Sequence, residues 1–507
     1  MNISRKNYDS EFCGSLPLHN INLIQPYGFL IVLERLSLNV LQVSENIGQL
    51  LGKTAQELVN TGFTAFLDDE TSQKLAVPFS ADLKSRIPLH LDLNTEAKVR
   101  NCVALVHHKP EYIILEIEES DEQQSFIEIF QEVKSSMETI NNSETIEELC
   151  QCTIEELKRL SGFDKVMMYK FDENWNGTVI AEVAEEGMER YLGLTFPASD
   201  IPKQARDLYL KNPYRLIPAC KYSPVKLYPV RNSLLNPFLD MSDCNLRGVP
   251  SVHLEYMENM EIAASMSTRV IVNDKLWGLI SCHHKEDNNP GYQKCAMFDL
   301  LSNVVSTKIT AIEMKENFEK INNLRSKRSD IIDSVYKEKS LVKGLLDHEI
   351  NIMNLFVGEG AVVLKNGTIH SRGKVPQHED IKNLVLWLQG KNISSVYAQA
   401  KLSDVYDHAA DYTEVGSGIL AIPIDQKKGD FAIVFRPEVV STIHWGGNPN
   451  DAINFEADGK KYHPRNSFRL WKETVYQTSL PWQKDELDIA EGIRSFIFEY
   501  SSKYLLN

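Results

Sequence analysis

No Cys-x-x-Cys pair occurs in this 507-residue chain, whose eight cysteines lie scattered at 13, 102, 150, 152, 220, 244, 282 and 295. Cys150-x-Cys152 is too tight for a zinc knuckle, so reduced thiols in a cytoplasmic protein are expected. Basic residues are in deficit: 54 Lys and Arg against 70 Asp and Glu give a formal charge of -16, which argues against nucleic acid or an anionic membrane as partner. No apolar run approaches the roughly 18 residues that cross a bilayer, and the polar start lacks the hydrophobic stretch of a signal peptide. There is no phosphate-binding glycine loop with a partner lysine, no kinase-type nucleotide box, and no nucleophile and base at suggestive spacing, so no enzymatic activity is expected within the chain. From Tyr292 to Lys343 both proline and glycine are missing. About 50 residues of helix, about 75 Å long, are predicted there, longer than a globular helix and suited to packing against a second copy.

With 43% of the residues hydrophobic and 24% charged the chain is globular, and its length of 507 residues points to about three domains. After an irregular arm of about 20 residues, strands are predicted at Gly28–Leu33, Leu89–Leu93, Cys102–Val106 and Tyr112–Ile117, with short helices at Thr54–Val59 and Asp69–Leu75. Helices through Phe126–Ile140 and Ser143–Leu160 precede strands at Val166–Phe171 and Gly177–Val183. Next comes Phe196-Pro-Ala-Ser-Asp-Ile-Pro202, an acid held between two prolines, with Ser199 or Asp200 suited to cap a helix over Gln204–Lys211. That helix would bring Arg206, Tyr209 and Arg215 to one pocket wall, a grouping that suits a ligand cationic at one point and anionic at another. An ordinary capped helix with surface ion pairs is the other reading of the same residues.

The stretch 218–250 is rich in Pro, Asn and Asp and too long for a routine connection. On the helix after it His253, Tyr256, Met257 and Met260 share one face, which reads either as a core stripe or as a ligand wall. A hairpin turning at Asn273-Asp274 ends in His283-His284, with no cysteine or carboxylate at ligand spacing to make a metal site. A third domain has an Asn366-Gly367 turn, a helix over Ile381–Gln389, and strands at Ile419–Ile424 and Phe431–Arg436 that echo Arg269–Cys282. It also carries a long excursion, Val439–Trp471, and a closing helix, Asp485–Leu506.

Five of these segments, in order, resemble the photosensory part of a phytochrome: Phe196–Pro202, Ser251-Val-His-Leu-Glu-Tyr256, Lys275–His284, Trp445-Gly-Gly, and Pro464-Arg-x-Ser-Phe468. The resemblance implies an α+β architecture of three sensory domains with antiparallel sheets. An arm would cover 1–20, a PAS domain 21–120, a GAF domain 124–310 and a PHY domain 311–507 with a tongue at about 439–471. A helical spine would join them, and a figure-eight knot would thread the arm near Ile24 through the loop 218–250. Plant-type members carry a bilin cysteine just before the GAF histidine, where this chain has Val252. Cys13, 12 residues before Gln25-Pro-Tyr-Gly28, is then similar to the N-terminal cysteine with which bacteriophytochromes bind biliverdin as a thioether. Tyr27 departs from the histidine often found after that proline.

By the same resemblance, Asp200, with its neighbour Ile201, would accept the pyrrole N–H groups through its main chain, with His253 beside the same rings. Arg215 and Arg247 would pair the propionates, helped by Ser265 and Ser267, and His283 would contact the ring D carbonyl. Tyr169, Phe196, Tyr209 and Tyr256 would surround that ring. In the tongue, Arg465 would pair with Asp200 before light and Ser467 would take over afterwards, while Trp445 and Trp482 trade places. The implied function is red/far-red sensing, passed along a parallel homodimer to an output domain or response regulator. The parent would most simply be a sensor histidine kinase, or else a diguanylate cyclase, whose catalytic part lies beyond residue 507. A chromophore-free GAF protein binding a small ligand is the rival reading.

Overall fold

The computed structural model describes residues 21–76, 86–120, 126–231, 238–449, 453–455, 462–465 and 467–504. They fall into two compact units: residues up to Ile312 together with His444–Trp471, and Glu313–Ile443 together with the chain from Lys472. Cys13 and the arm lie outside the described residues.

In the first domain, β1 (Leu23–Ile24), β2 (Phe29–Glu34), β3 (Val40–Ser44), β4 (Ile87–Asn94), β5 (Val99–His108) and β6 (Tyr112–Glu119) form an antiparallel sheet. β3 was not expected from the sequence. The run Phe29-Leu-Ile-Val-Leu33 is apolar without alternation because both faces of β2 are covered. Phe29, Ile31 and Leu33 face the domain's own core. Leu30 and Val32 instead meet Leu227, Leu239, Met241 and Leu246 from the loop 218–250. That loop also supplies β11 (Val225–Tyr228), which joins the same sheet between β1 and β3.

The second domain opens with helices α1 (Phe126–Asn141) and α2 (Ile146–Ser161). The Thr145 hydroxyl caps α2 by accepting from the Glu148 amide, and Gly162 ends it with φ +71°. Its sheet takes β7 (Lys165–Phe171), β8 (Gly177–Ala184), β9 (Thr195–Phe196), β10 (Tyr214–Ile217), β12 (Ala264–Val272) and β13 (Lys275–His284) in the order β10-β12-β13-β7-β8-β9. The turn between β12 and β13 has Asn273 and Asp274 at φ 51° and 60°, the left-handed pair that a two-residue hairpin requires. Helix α3 (Lys203–Lys211) and helix α4 (Ser251–Asn259) stand over one face of this sheet. The other face packs on α2 and on the start of α5 (Gly291–Glu338).

Helix α5 has 48 residues, about 72 Å at 1.5 Å per residue. It ends five residues before the predicted Lys343: Lys339 turns at φ 50°, and Ser340 caps the next short helix, Leu341–Leu346. There Gly344 lies so close to the Val335 backbone that a Cβ would sit 2.4 Å from it, so the chain must fold back on α5. One 18-residue window of α5 reaches a mean hydropathy of 1.2, enough by length and composition to cross a membrane, although polar residues interrupt it. Its Phe298, Leu301, Val305 and Ile309 are buried in the second domain's core, which accounts for the apolar content.

The third domain contains β14 (Gly360–Lys365), β15 (Thr368–Gly373), α6 (His378–Gly390), β16 (Tyr397–Gln399), β17 (Gly418–Asp425) and β18 (Asp430–Arg436). Its sheet order, β16-β17-β18-β14-β15, repeats β10-β12-β13-β7-β8 of the second domain strand for strand. The excursion begins with β19 (Ser441–Gly446), makes a small hairpin of β20 (Ile453–Phe455) and β21 (Tyr462–Pro464), and leaves through β22 (Leu470–Val475). The closing helix α7 (Lys484–Tyr504) packs Ile489, Ile493 and Ile497 into the third domain's core.

Candidate chromophore site

Strands β12 and β13 lay a polar face under α3 and α4. The register opposes Ser265 to His283 and Ser267 to Ser281, so all four side chains share one side of the sheet. Between that face and the two helices lies a cavity of about 240 Å³. Of the residues expected in the site, Asp200, Ile201, Tyr169, Tyr209, Arg215, Arg247, His253, Tyr256, Ser265, Ser267 and His283 all line it. Phe196 is not in the lining; its ring stands behind Tyr169, edge-on at 5.7 Å between centroids.

Two expectations from the local sequence fail. Neither Ser199 nor Asp200 caps α3: Pro202 occupies the cap position, and Ala198–Asp200 forms a 3-10 turn of its own. The Asp200 carboxylate is engaged elsewhere, which is why it cannot cap. Arg206 also leaves the pocket wall. It is buried, donates to the Ile201 carbonyl at 2.6 Å and the Ala198 carbonyl at 3.3 Å, and lies over the Trp175 ring, so it braces the turn that carries the acid.

The two cavity arginines differ in what their guanidinium groups touch. Arg215 donates to the carbonyls of Asn245 at 2.6 Å and Arg247 at 2.5 Å. Arg247 has a buried Nη1 with no hydrogen-bond partner among the described residues. Burial, reinforced by the charge of Arg215, pushes the Arg247 pKa down to about 9, still cationic at neutral pH. The imidazoles go the same way. His283 is pushed down to about 3 by burial, then by Lys165 and His253. His253 lines the same cavity with its side chain partly open, and the surrounding protein, then the charge of Arg215, lowers its pKa to about 4. Both are neutral at pH 7, each with one N–H and one acceptor nitrogen. His283 Nε2 is 3.2 Å from the Ser281 hydroxyl, and its Nδ1 is buried without a partner among the described residues.

The excursion closes this site. Arg465, in the turn after β21, forms a buried ion pair with Asp200, whose carboxylate also accepts from the Tyr256 hydroxyl at 2.8 Å. Burial raises the Asp200 pKa while Arg465 opposes the rise, so the pair belongs together. The Arg465 carbonyl accepts from Asn259 at 3.2 Å, His463 meets Glu255 at 2.9 Å, and Pro464 joins the cavity wall. Trp445 is buried and pairs in parallel with Thr195. The two glycines after it are needed for contact. A Cβ on Gly446 would sit 2.7 Å from the Phe196 ring, and Gly447, at φ +103°, would place one 2.3 Å from the Ser467 carbonyl. Ser467 itself is exposed. Trp482, in the other unit, donates to the Gln399 carbonyl at 3.1 Å and is covered by the Arg436 guanidinium at 3.7 Å.

Sequence reading missed Ser281 and Pro464. Ser281 had a signal: it lies two residues before His283 on a strand, hence on the same face. A second missed group is His107, Glu116 and Cys244, buried and close enough to be considered for a metal. His107 Nε2 and Glu116 Oε1 are 2.8 Å apart, a hydrogen bond; two ligands of one tetrahedral zinc would be about 3.3 Å apart. His284 pairs with Asp164 at 3.0 Å and turns away from His283's cavity.

Family models match in three places: a PAS fold at residues 13–120, a GAF domain at 145–309 and a phytochrome region at 324–503. Cyanobacterial phytochrome B of Nostoc sp. is 38% identical over 493 residues, covering 96% of this chain and 66% of the relative. A bacteriophytochrome of Xanthomonas campestris pv. campestris is 28% identical, covering 98% of this chain and 80% of the relative. The chain thus spans just under two thirds of the Nostoc protein. Among solved structures, the Stigmatella aurantiaca phytochrome photosensory core module superposes with a TM-score of 0.81 at 32% identity, covering 96% of this chain and 97% of that one. A bacteriophytochrome from R. palustris gives a TM-score of 0.84 at 30% identity, covering 97% and 99%. With three family models in sequence and near-complete overlap with photosensory cores, the chain belongs to the phytochrome family as a PAS-GAF-PHY photosensory module of the bacteriophytochrome kind.

Proposed function

We propose that this module is a red/far-red photoreceptor that binds biliverdin as a thioether through Cys13 and signals by refolding its tongue, residues 439–471. The observation that carries the reading is the pair of orphaned buried polar atoms, Arg247 Nη1 and His283 Nδ1, in a cavity lined also by serine and tyrosine hydroxyls. Such atoms are costly without a partner, and a linear tetrapyrrole with carboxylates along one edge and a terminal lactam supplies both. When bound, the bilin supplies absorption of red light and a double bond that can turn.

The protein residues then have distinct tasks. Arg247, with Ser265 and Ser267, holds a propionate, and Arg215 keeps the loop beneath it in place. The Asp200 main chain accepts hydrogen bonds from the pyrrole N–H groups, with His253 beside the same rings, and Ile201 packs next to them. His283 fixes the far lactam, while Tyr169, Tyr209 and Tyr256, backed by Phe196, confine the last ring to few orientations. Because Tyr256 and Arg465 share the Asp200 carboxylate, any displacement of Tyr256 loosens the tongue's buried ion pair with this acid. Release of Arg465 frees Ser467 to replace it, and Trp445 and Trp482 to exchange environments. The signal then passes along α5 and α7 of a cytoplasmic homodimer to an output domain, a sensor kinase being the simplest.

The test is biliverdin uptake followed by red and far-red illumination, repeated with Cys13→Ala and read by zinc fluorescence on a denaturing gel. Reversible switching with loss of only the covalent band in the variant is expected. No pigment uptake would overturn the reading in favour of a GAF module for another small ligand.

A further inference from the structure

Arg247 reaches the cavity from a short backbone segment, and that segment is fixed from the PAS side. Glu116, on β6, is 2% exposed and does not line the cavity. Its Oε2 accepts the Leu246 amide at 2.6 Å, while Oε1 is 2.8 Å from His107 Nε2 on the neighbouring strand. Around it the same short segment is gripped again. The Leu246 carbonyl accepts from the Gln25 amide at 2.8 Å, the Asn245 carbonyl accepts from Gln25 Nε2 at 3.1 Å, and the Gly248 amide donates to the Leu23 carbonyl at 2.8 Å. The carbonyls of Asn245, Arg247 and Gly248 then hold Arg215. Leu246 is seated so firmly that a Cβ on Gly28 would fall 2.8 Å from its side chain.

Of these ties, only Glu116 brings a carboxylate, and a bond to a charged acceptor is the strong kind. The Gly248 amide two residues on is held by a neutral backbone carbonyl instead. We propose that Glu116 is a positioning residue: through the Leu246 amide it sets where Arg247 presents its guanidinium to a carboxylate-bearing ligand, so that the PAS domain governs recognition of that carboxylate without touching it. The inference rests on the bilin reading and adds to it a residue from another domain.

The experiment compares the unmodified chain with Glu116→Ala and Glu116→Gln in two arms. In the first, pigment-free protein is followed by amide hydrogen exchange. Glu116→Ala raises exchange at residues 244–249 by about 10-fold, the loss of one charged hydrogen bond, and Glu116→Gln, which keeps an acceptor for Leu246, raises it much less. In the second, biliverdin and its dimethyl ester are titrated by absorbance with Cys13→Ala present in all three proteins, so that binding is reversible. Glu116→Ala weakens binding of the diacid about 10-fold and of the neutral ester less than 2-fold, with most of the difference restored by Glu116→Gln. Equal losses for diacid and ester would show general damage and overturn the proposal, as would unchanged exchange in Glu116→Ala. Failure of the unmodified chain to take up either pigment would sink the bilin reading itself, and with it the carboxylate role, while the exchange arm still decides whether Glu116 ties the loop.

Discussion

The GAF and PHY domains share a sheet order and differ in what one hairpin face carries. In GAF, β12 and β13 oppose Ser265 to His283 and Ser267 to Ser281. In PHY, β17 and β18 oppose Ile419 to Phe435 and Ala421 to Ile433, all fully buried against α6 and its neighbours. The reverse faces are alike, with Met266, Ile280 and Cys282 in one and Leu420, Ala432 and Val434 in the other, both packed into apolar cores. A ligand cavity is therefore obtained from this fold by changing one face of one hairpin. Each unit also buries an Arg–carboxylate pair: Arg465 with Asp200 in the first, and Arg436 with Glu486 at 2.6 Å in the second.

The largest expected effect tests the pair that serves structure alone. Arg436→Met leaves Glu486, itself 6% exposed, without its cation and bonded to the neutral Gln483 amide. Loss of about 3–5 kcal/mol is expected in denaturant unfolding of the second unit. The matched change, Arg465→Met, leaves Asp200 with Tyr256 and should loosen the tongue, read by faster proteolysis at residues 439–471 with the PHY core intact.

The next contrast compares equivalent positions. Ile419→Ala removes a fully buried side chain and should cost about 2–5 kcal/mol. Ser265→Ala, at the corresponding cavity position of GAF, should cost under about 1 kcal/mol. Similar costs for the two would break the comparison.

A third difference is in acid. His283 is neutral in the folded state, with its pKa pushed down to about 3, whereas the unfolded imidazole titrates near the usual 6.5 or so. Below that unfolded value the unfolded state binds a proton that the folded state does not. Stability is therefore full above about pH 6.5 and declines as pH falls toward 3, by several kcal/mol at most. Phe435, its PHY counterpart, has no such term. Melting followed from pH 7 to pH 4 should show a steeper loss in GAF than in His283→Gln; identical slopes would contradict the assignment.

Much of this was legible in the sequence because local rules and tertiary packing agree. The turns at Asn273-Asp274 and Asn366-Gly367, and the strands beside them, followed from residues that tolerate left-handed backbone. The segments Phe196–Pro202, Ser251–Tyr256 and Lys275–His284 were recognisable, and the structure brings them to one cavity. What stayed hidden depends on distant partners. Local sequence alone makes Asp200 a cap for α3, and only the family resemblance points to Arg465, 265 positions away. Arg206 looks like a pocket residue until the carbonyls of the turn are placed around it. The short strands β3 and β10 are stabilised by pairing rather than pattern, and Glu116, the first of three glutamates on β6, gives no sign of a role until Leu246 is beside it.

The most direct test of the central claim grafts the PHY face onto GAF. Ser265→Ile with Ser281→Ile puts the two apolar residues of β17 and β18 under the cavity, and the double variant and the unmodified chain are each mixed with biliverdin and followed by red-minus-far-red difference spectra. The account predicts a reversible red/far-red difference in the unmodified chain and none in the graft, with unfolding of the graft no weaker than that of the parent. A graft that takes up pigment and switches as well as the parent would contradict it.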